Sequence, residues 1–337
     1  MLFVFRLVNE HGTIPRAELF SILEGEHICY RLYMELSEFV ILEIRKEYAE
    51  LLTLRMAMLK EWGKLLAIAD EYEIVGLAIL NDIDEPYCVE EIETVRGFGK
   101  NYAVHIYNTL KSKRLLCYER PESTTKLKIV FIDGLALIYE VNKVRRGATF
   151  KYRAPHKRAA YLPGTMRPEL ARAFVNLARV STLRHEVVLD PFCGVGGFAI
   201  EAGLMGLHLI CTDIDRRMVS GSKANTHFYG ITPYVDIAQV DAAMMSLRSH
   251  SVDAIATDPP YGRQSIPRGY TLQNLIEKFF YRALDVVKPG RHIVFAVPHT
   301  IEQFVDKLAD EFSVEIREKH LDWVHGGLLR VIYVVRR

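Results

Sequence analysis

The chain is expected to be an α/β protein: a mostly parallel, seven-stranded sheet in its C-terminal half, preceded by a smaller α+β region. Two observations lead there. From about residue 187 onward, short apolar runs alternate with helical patterns, which is how a parallel sheet with crossover helices reads in sequence. The end of the chain departs from that alternation, with two strand-like runs joined around Gly326 and Gly327, as an antiparallel hairpin at one edge requires.

In chain order, strands are expected over 186–189, 207–213, 234–240, 252–257 and 292–298, with helices over 196–205, 216–229, 272–287 and 301–312. Gly206, Gly230 and Gly290 each stand just past a helix end, where a left-handed cap is wanted. The closing hairpin would comprise 314–320 and 328–335. Upstream, strand-like runs at 2–8, 28–32, 39–44, 74–80, 127–132 and 135–141 are interspersed with helical stretches, among them 101–113. In a sheet of this kind the third strand, 234–240, should lie at an edge, and its apolar character on both faces needs a cover, either a partner chain or the protein's own helices.

The run over 252–257 ends in Asp258, Pro259, Pro260, Tyr261 and Gly262. Two prolines remove two backbone donors and stiffen φ, so the carbonyls of Asp258 and Pro259 have no ladder role and are free to accept from a ligand. The amine of a nucleobase is a poor nucleophile because its lone pair is delocalised into the ring. Two fixed acceptors gripping its N–H bonds localise that pair, and Tyr261 could stack on an extruded base. Taken alone, these residues read equally well as a rigid turn without chemistry; their neighbours decide between the two.

The first strand of the C-terminal half ends at Asp190 and runs through Pro191, Phe192, Cys193, Gly194, Val195, Gly196 and Gly197 into a helix. Such a loop lets backbone approach a ligand closely. Asp213 ends the second strand 23 residues later, near the interval at which an acid meets a ribose diol in doubly wound folds. Asp241 ends the third, where it could accept from an adenine amine; each acid could also be a helix cap. The G-x-G-x-x-G fingerprint of dinucleotide folds is absent. A loop that begins with Asp190 suits a cationic amine rather than two phosphates, which is the make-up of S-adenosylmethionine. Because ligands in open α/β sheets lie beyond the carboxyl ends of the strands where the order reverses, Asp190 and Asp258 should flank one pocket.

These residues carry a family resemblance. The stretch 190–197 resembles motif I of class I (Rossmann-like) methyltransferases, and Asp258, Pro259, Pro260 and Tyr261 match the amino-methyltransferase tetrapeptide. Together with 162–168, 170–178 and 324–333, they make the chain similar to the archaeal and eukaryotic tRNA guanine-10 N2-methyltransferases. The resemblance implies that Asp258 and the Pro259 carbonyl hold the guanine N2 amine, that Pro260 braces the turn and that Tyr261 packs on the base. It implies cofactor contacts at Thr165, Asp190, Phe192, Cys193, Gly194, Asp213, Ile214, Asp241 and Ala242, with 162–168 closing over the cofactor. It also implies a ferredoxin-like region over 1–48, a THUMP RNA-binding domain over 49–145, a linker over 146–165 and the methyltransferase domain over 166–337. Related enzymes recruit a small zinc-binding activator protein along the third-strand edge. A methyltransferase acting on an amine of rRNA or DNA, and a catalytically silent RNA-binding factor, are the competing readings.

Composition agrees with this division. The net charge of +1 conceals 10 Lys and Arg against 19 Asp and Glu in residues 1–100, and 15 against 5 in residues 101–172. Lys143, Arg145, Arg146, Lys151, Arg153, Lys157 and Arg158, interleaved with Phe150 and Tyr152, form the densest basic stretch; it would contact RNA phosphate and bases, or else be merely solvated. Removing residues 1–150 should then weaken tRNA binding far more than cofactor binding. No uncharged apolar run is long enough to span a membrane, and no cleavable leader is evident. Five cysteines without C-x-x-C spacing argue against a disulfide framework or a cysteine zinc site and suit a reducing cytoplasm; Cys193 reads more readily as a packing residue than as a reactive thiol. His325 and Trp323, in the last hairpin, are expected to pack, with a guanine contact the other possibility.

Overall fold

The computed structural model describes residues 1–70, 87–97, 99–119, 124–144, 146–261 and 269–337. The expected strand at 74–80 and Gly262 lie outside them. Residue contacts divide the chain into two compact units: Met1–Asn9, Cys29–Thr53 and Leu59–Arg145 form the first, and Glu10–Ile28, Leu54–Met58 and Arg146–Arg337 the second. Residues 10–28, which the sequence reading grouped with the N-terminal region, thus cluster with the C-terminal half.

The first unit is built on one sheet. Its strands are β1 (Leu2–Leu7), β2 (Arg31–Glu35), β3 (Phe39–Glu43), β4 (Leu59–Asp70), β5 (Tyr87–Thr94), β6 (Thr125–Ile132), β7 (Leu135–Glu140) and the short β8 (Asn142–Lys143). They pair in the order β2-β3-β1-β4-β7-β6-β5, with β8 on β4. Strand β6 shows why this sheet is buried on both faces: Val130 and Ile132 pack with Val4, Phe39, Ile41 and Tyr139. The alternate residues Leu127, Ile129 and Phe131 pack with Ile106 and Leu110 of a helix spanning Lys100–Ser112. Strands β4 and β5 escaped the sequence reading. Glu61 of β4 and Glu91 and Glu93 of β5 look like a solvated face in sequence, yet in the fold they surround the buried Lys128, with Nζ to carboxylate distances of 2.6–3.2 Å. Gly63 is required where β4 meets β7, because a Cβ there would lie 1.4 Å from the Glu140 carbonyl oxygen.

One sequence expectation is overturned in this unit. Cys88 and Cys117 form a disulfide closing a separation of 29 residues, brought together where Val89 bridges Leu116. Spacing along the chain could not reveal this pairing, and the cysteine pattern no longer argues for a reducing compartment. Cys29, Cys193 and Cys211 are free.

The second unit holds β9 (Val187–Asp190), β10 (His208–Asp213), β11 (Val235–Gln239), β12 (Val252–Thr257), β13 (Val287–Pro298), β14 (Glu315–His325) and β15 (Leu328–Arg336). Their order is β11-β10-β9-β12-β13-β15-β14. All pairings from β11 to β13 are parallel; β15 runs antiparallel to both β13 and β14. The order reverses between β9 and β12, which are direct neighbours. Ile255, Ile293, Phe295, Val331, Tyr333 and Val335 bury one face of the sheet against Ile276, Phe279, Phe280, Val305 and Leu308, from helices spanning Leu272–Val286 and Glu302–Glu311. Each such side chain contributes about 2 kcal/mol of apolar burial. Among the described residues no helix is long and apolar enough to cross a membrane.

The helix Ile14–Gly25 belongs to this unit and packs on the helix Pro168–Leu177. Glu18, fully buried, accepts from the backbone N–H groups of Ala57 and Met58 at 2.7 and 2.8 Å and from Asn176 Nδ2 at 2.8 Å. Glu26 accepts from Arg55 Nη1, Ser181 Oγ and the Thr182 N–H at 2.5–2.7 Å. Buried carboxylates so fully satisfied lock three separate stretches of sequence into one body.

Candidate active site

The site is assembled at the carboxyl ends of β9, β10, β11 and β12. Asp190, at the end of β9, has no exposed surface. Its Oδ1 accepts from Thr257 Oγ1 of β12 at 2.6 Å and from the Phe192 N–H at 3.2 Å, while its Oδ2 is buried without a partner among the described residues. Burial pushes this carboxyl up to about 8, against the pull of the Thr257 and Phe192 hydrogen bonds. The loop beyond it turns on Gly194 and Gly196, at φ of +51° and +82°, and enters the helix Gly197–Leu204. A Cβ on Gly196 would lie 2.6 Å from Ser222 Oγ, so the tight turn depends on glycine.

Asp213 closes β10. Its carboxylate accepts from the N–H groups of Gly194 and Asp215, each at 2.9 Å, tying the glycine loop to the second strand; burial raises its pKa. Asp241, beyond β11, caps a short helical turn through the Ala243 N–H at 2.9 Å and accepts from Tyr270 Oη at 2.9 Å. Asp258 follows β12. Burial pushes it up to about 7; Arg330 opposes that rise, and Asp322 adds to it.

These ends enclose a cavity of about 470 Å³ lined by Phe192, Gly194, Asp213, Ile214, Asp241, Ala242, Asp258 and Pro260, and also by Leu162, Pro191, Asp215, Arg217, Met218 and Leu275. Of the expected cofactor residues, three do not line it. Asp190 lies beneath the loop; Cys193 is buried, its thiol pushed up chiefly by hydrogen bonding with Cys211 and by burial, as a packing residue's would be. Thr165 Oγ1 donates to the Leu162 carbonyl at 2.7 Å, folding the 162–165 turn. Pro259 is buried and Tyr261 half-buried. Tyr261, Arg330 and Asp322 form one group, with Arg330 Cζ 5.7 Å from the Tyr261 ring centroid. Arg330 and Tyr270 were missed because a lone Arg in a strand and a lone Tyr after a loop carry no local signal.

The lining is rich in carboxylate, and its Arg217 is occupied by Asp215 at 2.7 Å. With Asp213, Asp241 and Asp258 facing the cavity, that donor set fits a cationic amine and a hydroxyl-bearing ribose. The residues therefore fit S-adenosylmethionine.

The basic linker needs correction. Arg153 and Arg158 are buried; Arg153 is held by Glu201 at 2.7 and 3.0 Å and Arg158 Nε donates to the Arg153 carbonyl at 3.0 Å. They brace the linker against the helix Gly197–Leu204 instead of facing solvent. Lys143, Lys151 and Lys157 are exposed; Arg145 and the Arg146 side chain lie outside the described residues. Trp323, expected to pack, is 69 % exposed, and His325 is exposed as well.

Strand order, motif loop and crevice together define a class I methyltransferase. Residues 155–332 match the family described as UPF0020: RMKL-like, methyltransferase domain. The chain is 32 % identical over 347 residues to the tRNA (guanine(10)-N2)-dimethyltransferase of Methanothermobacter thermautotrophicus, covering 98 % of each. It is 38 % identical over 217 residues to the enzyme of the same name from Methanocaldococcus jannaschii, covering 63 % of this chain and 57 % of that one. The solved structure of TrmN from Thermus thermophilus shares the fold, at a TM-score of 0.56 over 100 % of both chains with 17 % identity. The chain belongs to the tRNA (guanine(10)-N2)-dimethyltransferase family.

Proposed function

We propose that this chain transfers methyl groups from S-adenosylmethionine to the exocyclic N2 amine of guanosine 10 in tRNA. One observation carries the reading: a half-buried, proline-braced carboxylate, Asp258, lines the same cavity as the strand-end acids Asp213 and Asp241. The bound cofactor supplies a methyl group already activated on a sulfonium. Everything else falls to the chain. Asp190, beneath the glycine loop, holds that loop in place through the Phe192 N–H, and Asp213 and Asp241 take the ribose and the adenine edge. Asp258 and the Pro259 carbonyl orient the guanine amine, and the Asp258 charge stabilises the positive charge that develops on nitrogen. Tyr261 stacks on the base. Orientation within such a pocket supplies on the order of 7 kcal/mol of barrier reduction.

The first unit serves as the RNA-docking part, a ferredoxin-like piece and a THUMP domain, with its exposed Lys143 meeting phosphate; in the linker, Lys151 and Lys157 do the same. An RNA-modifying role suits a cytoplasmic protein. Along β11, the exposed Phe228 and Tyr234 flank an outer strand, which supports docking of a small zinc-binding activator protein there. Incubating unmodified tRNA with labelled cofactor and mapping the modified nucleotide tests the whole reading: label at guanosine 10 is the expected outcome, and label at another nucleotide or in rRNA or DNA alone refutes it.

A further inference from the structure

We propose that Arg330 is the positioning residue of this site: from β15 it shares one guanidinium between Asp258 and Asp322, and so holds the amine-gripping carboxylate in place while leaving acceptor capacity free. The proposal rests on the methyl-transfer reading above. Arg330 pairs in register with Pro298 of β13 and Asp322 of β14, at the end of the sheet where β12 delivers Asp258. Its side chain is 7 % exposed. Nε and Nη2 donate to Asp322 Oδ2 at 2.9 and 2.5 Å; Nη1 donates to Asp258 Oδ2 at 3.2 Å and lies 3.5 Å from both Asp258 Oδ1 and Tyr261 Oη. Among the described residues, Arg330 is thus the group that touches both the carboxylate and the ring to which the reaction assigns the base.

The asymmetry matters. Asp322 takes two short contacts and Asp258 the longer one, so Asp258 is held but not saturated. A carboxylate whose lone pairs were all engaged could not grip an amine, and a buried carboxylate with no cation beside it would take up a proton. Other groups facing this pair come from several elements. Asp190 lies across on β9, and His11, ahead of the helix Ile14–Gly25, stands 3.7 Å from Asp322 Oδ1. Burial keeps His11 below its ordinary value, Arg167 works in the same direction, and Asp322 and Glu10 oppose them. One cation therefore serves two carboxylates.

Because Asp258 must be ionised to stabilise charge on the amine, activity should fall as pH drops below about 7. Arg330 holds that titration down and Asp322 pushes it up, so removing them must displace it in opposite senses. The test compares wild type, R330Q, R330K and D322N in kcat/KM for tRNA methylation across pH, with cofactor affinity measured in parallel. The acid limb is expected to move to higher pH in R330Q and to lower pH in D322N. R330K should fall between wild type and R330Q, and cofactor affinity should change less than about threefold. Below the limb, each pH unit of displacement is a tenfold change in rate. A purely structural role would lower activity in all variants with superimposed or same-direction profiles, and that result overturns the proposal. Carbon NMR of labelled Asp258, assigned against D258N, reads the same displacements without any substrate. Opposed NMR displacements in a chain that methylates no tRNA would refute the functional reading and leave the Arg330 assignment supported; unmoved titrations would refute the assignment itself.

Discussion

Two carboxylates differ in what their surroundings ask of them. Asp258 keeps a cation within reach, whereas among the described residues Asp190 has neutral donors on one oxygen and no partner on the other. Replacing Asp258 with Ala should reduce methyl transfer by about a hundredfold or more with cofactor affinity within about twofold, measured by single-turnover assay and calorimetry; retained turnover refutes the role. For Asp190 the linkage has a definite sign. Its pKa rises from 3.8 to about 8 on folding, so its contribution to stability is full below pH 3.8 and is lost progressively as pH rises toward 8. The difference in unfolding free energy between wild type and D190N should therefore shift against wild type across that window and level off above it, read by chemical denaturation at several pH values. Cofactor affinity should weaken in D190N at all of them.

Elements were legible where one residue type repeats at the right interval. The glycine turn before the helix Gly197–Leu204 follows from its sequence because glycine takes that left-handed backbone without a steric cost, and the structure gives the reason a second form in the closeness of Ser222. Gly196→Ala should cost about 1–3 kcal/mol and slacken cofactor binding, measured by thermal unfolding with and without S-adenosylmethionine. Strands β4 and β5 were not legible, because acids that pair with buried Arg6 and Lys128 are indistinguishable in sequence from acids in water. The Cys88–Cys117 bridge was hidden for a related reason: its partners meet through pairing of remote segments. Closing a loop of that size stabilises by about 3–4 kcal/mol in the chain-entropy account. C88S/C117S should lower the denaturant midpoint of the first unit accordingly, and reductant should act on wild type but not on the variant.

At the scale of the whole molecule, the interleaving of the two units changes a sequence-based expectation. Removal of residues 1–150 was expected to weaken tRNA binding far more than cofactor binding. It would instead remove Glu18 and Glu26, leaving Asn176, Ser181 and Thr182 without their buried acceptors, and each lost partner costs about 1–3 kcal/mol. A fragment of residues 151–337 should therefore lack cooperative unfolding and bind no cofactor. Addition in trans of a segment covering residues 1–60 offers the check: recovery of a cooperative transition supports this account, and a stable, cofactor-binding fragment without it sinks it.

By itself the sequence determined the alternation of strands and helices in residues 187–337, the glycine loop, and the acids at the strand ends, because each is a local demand of backbone geometry or of a repeated side-chain period. Tertiary structure alone decided which helix from the N-terminal region completes the second unit, which linker arginines turn inward, Arg153 to Glu201 and Arg158 to the Arg153 carbonyl, and which cation stands behind Asp258. Those are choices among partners far apart in sequence. They are settled by where buried charge finds its opposite, and no local pattern records that.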